Sequence, residues 1–201
     1  MSNRFQRKPS TRRYKKLFLI AAEGHNTEPS YFRELQKLCE SQLIQCLPRE
    51  SHATDPNNIL LDLKRMMRKA GLQAGDEVWL VADLDNRSEQ DFQDVIDWSQ
   101  TARSGAKHDL ALSNPCFEYW IILHFDEGKN ITDAESCRDF LRKHPAYEVR
   151  TKRIMQGGVT LDQIKRAIAR ASNNRHKDQP FDRIGTTVFR LIKRLLDEET
   201  A

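Results

Sequence analysis

The stretch EVWLVADLD, residues 77–85, is the part of the sequence that most clearly predicts the fold class of this chain. Five apolar residues in succession end at Asp83, and a second aspartate, Asp85, follows two positions later. Such a short apolar run is typical of a strand that is buried on both faces of a parallel sheet. Because ligands bind beyond the carboxyl ends of the strands in open α/β sheets, both aspartates stand where a binding site is expected.

The run KLFLIAA, residues 16–22, repeats this pattern and is followed directly by Glu23. Segments with helical spacing of apolar residues follow the strands, so that residues 16–125 read as four successive β-α units. Strands that alternate with helices predict a mostly parallel sheet with right-handed crossovers. We therefore expect an α/β fold of the Rossmann type, in which helices flank a mostly parallel four-stranded sheet.

Composition and pattern divide the chain into three parts. Residues 1–13 form a basic arm, residues 14–128 the α/β core, and residues 129–201 a helical C-terminal extension that packs on the core. Strands are expected at 16–22, 43–47, 77–82 and 108–112, and helices near 28–41, 57–70, 88–104, 115–125, 132–143, 160–172 and 186–197. We expect Thr27 to cap the first helix at its N-terminus, and Ser113 or Asn114 to cap the fourth.

The overall composition indicates a charge-rich, soluble protein of the cytoplasm. Hydrophobic residues make up 38% of the chain and the mean hydropathy is −0.72. No apolar run approaches the roughly 20 residues of a membrane span, and no signal-peptide core follows the basic N-terminus. The four cysteines (Cys39, Cys46, Cys116 and Cys137) lack the spacing of a zinc site, which predicts free thiols.

The positive charge of the chain is concentrated at its N-terminus. Residues 1–16 contain seven basic residues and no acidic one, although the whole chain carries a net charge of only +4. Basic arms of this kind bind nucleic acid by neutralising phosphates, or act as solubilising tails, and both interpretations stay open here. The candidate phosphate contacts are Arg4, Arg7, Lys8, Arg12, Arg13 and Lys15, together with Arg87 beside the acidic stretch.

Asp83 and Asp85 are candidate ligands for a divalent cation. On extended backbone their side chains project to the same side, about 7 Å apart, a separation that suits one shared cation or two neighbouring ones. The alternative is a turn that caps the following helix, since DLDNRS is rich in turn-forming residues. Glu23 follows a different strand of the same sheet and is the third candidate. Glu28 either joins this site or complements the dipole of the first helix.

The segment SNPCFEYWIILHF, residues 113–125, adds a carboxylate in apolar surroundings. Glu118 lies in the first turn of an expected helix that is apolar almost all round. A buried carboxylate requires a metal ion, an arginine or a proton as its partner, and the sequence leaves these three open. His124, near the end of the same helix, reads as a core histidine rather than a general base.

Three of these blocks together closely resemble the RloB-like proteins: EGHNTEPSYF (23–32), VADLDNRS (81–88) and SNPCFEYWIILHF (113–125). The late segment GTTVFRLIKRLL (185–196) also resembles a segment of that family. The resemblance implies a compact version of the TOPRIM fold. It further implies that Glu23 is the TOPRIM glutamate, which acts as a general acid or base or binds a metal ion. Asp83 and Asp85 would be the metal-binding D-x-D motif of the TOPRIM fold. Glu28 and Glu118 match the RloB-like blocks and are counted as candidate catalytic residues.

The function implied by the resemblance is a nuclease that depends on Mg²⁺ or Mn²⁺, in a prokaryotic antiphage or abortive-infection system. Such proteins work beside a partner ATPase of the AAA or ABC type, and this chain has no P-loop motif of its own. DNA or RNA as the substrate, and a homo-oligomer as the assembly, both stay open.

Two other classes of function compete with the nuclease. A non-catalytic module would bind nucleic acid or a partner protein and keep the acidic site as a sensor or relic. A phosphotransferase similar to the haloacid dehalogenases would use Asp83 as its nucleophile. That motif normally opens its domain, whereas a full β-α-β-α precedes it here and Glu23 is left unexplained.

Overall fold

The computed structural model describes residues 14–47, 55–101, 105–145, 147–148, 153–154, 159–174, 178 and 180–197. Its strands are β1 (Lys16–Ala22), β2 (Gln42–Leu47), β3 (Glu77–Asp83), β4 (Lys107–Asn114), β5 (Tyr147–Glu148), β6 (Arg153–Ile154) and β7 (Gly185–Thr186). Its helices are α1 (Thr27–Gln36), α2 (Pro56–Ala70), α3 (Gln93–Gln100), α4 (Phe117–Ile122), α5 (Ala134–Arg142), α6 (Leu161–Ser172) and α7 (Val188–Asp197), and a 3-10 turn, Glu89–Phe92, leads into α3.

The main sheet has five strands in the order β2-β1-β3-β4-β7. The first four are parallel, which confirms the expected mostly parallel α/β fold. The expected number of four strands is wrong, because β7 pairs antiparallel with β4 through Ser113–Thr186 and Asn114–Gly185. A two-residue strand produces no alternating pattern of apolar residues, and its pairing partner lies more than 70 positions away.

In the described part of the C-terminal region, the secondary structure is helical apart from three short strands. Besides β7, it contains a hairpin in which β5 and β6 pair antiparallel through Tyr147–Ile154 and Glu148–Arg153. The helix α7 packs against β4 of the main sheet. None of the helices in the described part of the chain combines the length and the apolar content that crossing a membrane requires.

Alternate side chains of the central strands feed two separate cores. Phe18 and Ile20 of β1 pack with α1 and the helices α4 to α7 on one face of the sheet. Leu17 and Leu19 pack with α2 and α3 on the opposite face. Because successive side chains of a strand point to opposite faces, a continuous apolar run is what a sheet covered on both sides requires.

The N-cap residues of α1 and α4 differ from those predicted from the sequence. Asn26 occupies the N-cap position of α1 and Thr27 is its first helical residue, so the predicted cap at Thr27 is wrong. The N-cap residue of α4 is Cys116, because β4 extends through Ser113 and Asn114 and leaves neither of them free to start a helix. Neither N-cap side chain accepts a hydrogen bond from its helix.

Glu77, the first residue of β3, is a buried carboxylate that joins the sheet to α7. It is 1% exposed and accepts hydrogen bonds from Lys16 Nζ and Arg194 Nε, both at 2.9 Å. The indole N–H of Trp79 donates to its second oxygen at 3.0 Å. Burial by itself raises the pKa of Glu77, but these donors outweigh it and lower that pKa below its ordinary value.

Removing Arg194 should therefore destabilise the protein. We expect Arg194→Ala to lower the free energy of unfolding by about 1–3 kcal/mol, because a buried carboxylate loses a charged donor. The control is Arg142→Ala, whose ion pair with Asp139 is more than half exposed and should contribute less than about 1 kcal/mol. Urea unfolding of both variants makes the comparison. Equal losses would show that Glu77 does not depend on Arg194.

Candidate active site

Three candidate carboxylates lie at the carboxyl edge of the sheet. Glu23 directly follows β1, Asp83 is the last residue of β3, and Glu118 lies in the first turn of α4, just after β4. The parallel register brings these strand ends to one level: Ala22 pairs with Val81, and Asp83 pairs with Ser113. The three side chains therefore come together because neighbouring parallel strands end side by side.

Glu23 is held by Arg87 in a two-pronged ion pair. The guanidinium donates to Glu23 Oε1 at 3.0 Å and to Oε2 at 3.1 Å. The same group donates to the backbone oxygen of Asp83 at 2.9 Å, and the Asp83 N–H donates to Glu23 Oε2 at 3.1 Å. This network joins β1 to the turn after β3. Arg87, which was predicted to contact phosphate, is thus hydrogen-bonded to groups of the protein itself.

Asp83 lies in the most strongly negative part of the site. The backbone N–H of Phe117, at the start of α4, donates to Asp83 Oδ1 at 2.8 Å. Burial raises the pKa of Asp83 well above its ordinary value, and the charges of Glu28 and Glu118 raise it further. Smaller contributions in the same direction come from the other carboxylates of the site, Glu23 and Asp85.

Asp85 does not lie on extended backbone. The strand ends at Asp83, and the backbone at Asp85 has φ of 40°, followed by 67° at Asn86. The expectation that both aspartates project from one extended segment is therefore wrong, since a left-handed turn intervenes. Hydrogen bonds from Leu84 N–H to Ser113 O (2.9 Å) and from Asp85 N–H to Pro115 O (3.1 Å) hold this turn.

Glu28, in the first turn of α1, is 3% exposed. Its Oε1 accepts a hydrogen bond from the Gly24 N–H at 3.0 Å. Burial is the main cause that raises the pKa of Glu28 to about 7, and the charge of Glu118 is the next. A Cβ atom on Gly24 would lie 2.1 Å from Glu28 Oε2, so the glycine is what lets the carboxylate approach the turn. Nothing in the sequence pattern around Gly24 indicates this role.

Glu118 has two hydroxyl groups as partners. Thr27 Oγ1 donates to Glu118 Oε1 at 3.0 Å, and Tyr147 OH donates to the same oxygen at 3.3 Å. Burial and the charge of Glu118 raise the pKa of Tyr147. Neither hydroxyl group was a candidate from the sequence. Thr27 was assigned to a helix cap, and Tyr147 lies in a two-residue strand 29 positions from Glu118.

Two cavities meet at these side chains. One of about 170 Å³ is lined by Asp83, Asp85, Cys116, Glu118, Ala134, Arg138, Leu141 and Tyr147. The other, of about 310 Å³, is lined by Glu23, Gly24, His25, Asn26, Thr27, Glu28, Asp83 and Glu118. Asp83 and Glu118 line both cavities and so form the centre of the site. A cavity of about 530 Å³ lies elsewhere, beside Tyr119 and Arg170, and contains none of these carboxylates.

The carboxylate oxygens of this site are chemically suited to bind a hard divalent cation. Carboxylate oxygens are the ligands that Mg²⁺ and Mn²⁺ prefer, and a cation would offset the charges of Glu28 and Glu118, which add to burial in raising the pKa of Asp83. In the described part of the chain, however, no three His, Cys, Asp or Glu side chains already form a ligating group. Glu23, an expected ligand, has both carboxylate oxygens engaged by Arg87.

His124 is a core residue, which confirms the interpretation from the sequence. It is 1% exposed, and its Nδ1 donates to Trp120 O at 3.0 Å. With that tautomer, Nε2 accepts a hydrogen bond from Tyr31 OH at 3.3 Å. Burial is the main cause that lowers the pKa of His124 to about 4. The ring is thus neutral at physiological pH.

Most of the predicted nucleic-acid contacts lie outside the described residues. This is the case for Arg4, Arg7, Lys8, Arg12 and Arg13. Lys15 is described and exposed, directly before β1, at the opposite end of that strand from Glu23. Of this predicted set, Arg87 is the residue that lies at the acidic site. All four cysteines are free thiols, as expected from their spacing.

The fold and the site together define a mixed α/β protein that gathers buried carboxylates at the carboxyl edge of a mostly parallel sheet. A family model described as RloB-like protein matches residues 18–195. The chain therefore belongs to the RloB-like family. Comparisons with curated proteins and with solved structures found no match.

The raised pKa of Glu28 predicts a pH-dependent gain in stability for Glu28→Gln. The folded state binds more protons than the unfolded state between the ordinary pKa of 4.5 and about 7, so wild-type stability falls as the pH rises through this window. Above pH 7 the variant should be more stable than the wild type by up to about 3 kcal/mol. The difference should vanish towards pH 4.5, as measured by urea unfolding. Exposed Glu40→Gln is the control, and a gain independent of pH would contradict the prediction.

The opposite dependence is expected for His124. Its folded pKa of about 4 lies below the ordinary value of 6.5, so between these values the unfolded state binds more protons and stability falls as the pH falls. As the pH falls through this range, the wild type should lose about 3 kcal/mol of its free energy of unfolding through His124. His124→Phe should not show this loss, as measured by urea unfolding at each pH. Parallel pH profiles for the two proteins would show that His124 titrates normally.

Proposed function

We propose that this RloB-like protein is a metal-dependent hydrolase that cleaves phosphodiester bonds of nucleic acid. The observation that supports the proposal is an excess of carboxylates over cations at a site where Glu23 and Glu28 are buried and Asp83 and Glu118 are half-buried. The charge of Glu118 adds to burial in raising the pKa of both Glu28 and Asp83, whereas Arg87 pairs with Glu23. An arrangement that weakens the apo protein in this way is typical of a binding site for cations.

Asp83 and Glu118, which line both cavities, are the residues that would hold Mg²⁺ or Mn²⁺, with Asp85 at the rim of the smaller cavity. The bound metal would neutralise the phosphate and stabilise the leaving oxygen. Holding it requires side-chain movement, since no ligating group of three is preformed among the described residues. Glu23 would position Asp83 and Arg87 rather than bind the metal, because its carboxylate accepts hydrogen bonds from the Asp83 N–H and from the Arg87 guanidinium.

Glu28 is our candidate for the proton-accepting group. A carboxyl group with a pKa of about 7 is suited to take a proton from the attacking water near neutral pH. Glu28 lines the larger cavity together with Asp83 and Glu118, where a water molecule has room beside the metal ligands. The resemblance to TOPRIM proteins implies this role for Glu23, but Glu23 is occupied by its ion pair with Arg87.

The family suggests the setting of this activity. We propose that the protein acts in the cytoplasm of a prokaryote, in an antiphage or abortive-infection system, with a TOPRIM-like core as its catalytic part. Because the chain has no P-loop motif, any step driven by ATP would belong to a partner ATPase. The basic arm would add phosphate contacts to those made at the site.

A second candidate function is a non-catalytic module that binds nucleic acid or a partner. The observation that favours it is that Arg87 pairs with Glu23, so that a carboxylate expected to be catalytic instead links the end of β1 to the end of β3. In that case the acidic site would sense a cation without turnover.

Substitution of Asp83 tests the nuclease. We expect the wild type to cleave DNA or RNA with Mg²⁺ or Mn²⁺ and to stop in a chelator, and Asp83→Asn to lose at least about 100-fold in rate. Millimolar Mg²⁺ should also raise the Tm of the wild type but not that of Asp83→Asn, because binding to the folded state alone stabilises it.

The matched control for this test is Asp94→Asn, an exposed aspartate on α3, which should change neither the cleavage rate nor the shift in Tm. Undiminished cleavage by Asp83→Asn, or cleavage in chelator, would contradict the nuclease. A shift in Tm without cleavage of any plasmid, single-stranded DNA or tRNA substrate would favour the non-catalytic module.

A further inference from the structure

Arg138 stands at the wall of the smaller acidic cavity. It lies on α5, and the cavity of about 170 Å³ that it lines also contains Asp83, Asp85 and Glu118. It is the one basic residue among the described residues that line this cavity. The sequence gives no hint of this position, because α5 begins 16 residues after Glu118 and carries no recognisable motif.

The backbone beneath Arg138 is firmly held. On either side of it along α5, Cys137 and Leu141 are fully buried in the core. The helix begins with a capping box in which Asp133 accepts from the Ser136 N–H at 2.7 Å. Cys116, the N-cap residue of α4, is buried as well, and α4 packs against α5. Arg138 is therefore carried by a well-packed helix beside the helix of Glu118, while its own side chain is exposed.

The guanidinium of Arg138 has no partner among the residues that the structure describes. This is unusual beside three carboxylates. Arg87 pairs with Glu23 in the same site, but Asp83 takes a backbone N–H from Phe117 and Glu118 takes the hydroxyl groups of Thr27 and Tyr147. Asp83 Oδ1 and Glu118 Oε1 accept these hydrogen bonds and neither carboxylate pairs with Arg138, so the charge of Arg138 is available to a ligand.

A phosphodiester is the ligand that such a position suits. It is an anion and would be repelled by a cavity that contains three carboxylates, unless cations compensate. A guanidinium offers planar N–H donors that match two phosphate oxygens at once, which an ammonium group does not. We propose that Arg138 binds the phosphate of the nucleic-acid substrate at the mouth of this cavity, in place of the engaged Arg87.

This inference rests on the proposed function for its substrate, and it is tested by binding rather than by cleavage. The full chain and its Arg138→Ala and Arg138→Lys variants are titrated into labelled single-stranded DNA, RNA and duplex DNA, with Ca²⁺ as the cation. Fluorescence anisotropy at several salt concentrations gives the affinity and its salt dependence. Arg142→Ala, one turn further along α5, is the matched control because its side chain pairs with Asp139 and does not line the cavity.

We expect Arg138→Ala to weaken binding about tenfold and to reduce the salt slope by about one phosphate contact. Arg138→Lys should keep the salt slope but recover only part of the affinity, because it lacks the planar fork. Arg142→Ala should bind as the wild type does. An unchanged Tm for each variant excludes a loss through misfolding, since Arg138 is exposed.

The outcomes separate this inference from the nuclease. Wild-type affinity and salt slope in Arg138→Ala would overturn the role of Arg138 even if the wild type cleaves nucleic acid. Weakened binding in Arg138→Ala together with an inactive wild type would support Arg138 and leave the nuclease without support. A wild type that binds none of the three probes would overturn both.

Discussion

The site depends on one geometric constraint, the parallel register of β1, β3 and β4. Parallel neighbours end at the same edge of a sheet, so the residues that follow them are forced into one small volume. In this protein those residues are acidic, and they would repel one another if the backbone alone held them. The Arg87 guanidinium offsets part of that repulsion, because it pairs with Glu23 and also donates a hydrogen bond to the backbone oxygen of Asp83. The short strand β7 completes the arrangement by pairing with the last residues of β4, directly before the segment that carries Glu118.

The pKa values of two carboxylates at opposite ends of β3, Glu77 and Asp83, are shifted in opposite directions. Glu77, at the start of the strand, is surrounded by cationic and indole donors that lower its pKa. Burial raises the pKa of Asp83, at the end of the same strand, and the charges of neighbouring carboxylates raise it further. Glu77 is buried and Asp83 is half-buried, so the opposite directions follow from the groups that surround each side chain. The first arrangement stabilises the fold, whereas the second has a surplus of negative charge that only a ligand or a proton removes, as expected of a functional site.

Much of the fold could be predicted from the sequence because it is encoded locally. The continuous apolar runs at 16–22 and 77–82 correspond closely to β1 and β3, since a strand covered on both faces needs apolar residues at every position. What failed had no local signal. The strands β5, β6 and β7 have two residues each, and their pairing is decided by distant partners. The sequence left a turn at Asp85 open as the alternative to extended backbone, because an aspartate is compatible with both extended and left-handed backbone.

The order of the first four strands and of the helices, the family, and the carboxylates that follow each strand can all be read from neighbouring residues in the chain. How these carboxylates are used depends on contacts that form only in the folded protein. The tertiary structure engaged Arg87 with Glu23, placed Gly24 against Glu28, and brought Thr27 and Tyr147 to Glu118. It also left Arg138 beside the acidic cavity without a partner in the described chain. The physical reason is that charge pairing and burial depend on distances through space, and residues far apart in the chain set those distances only after the sheet has formed.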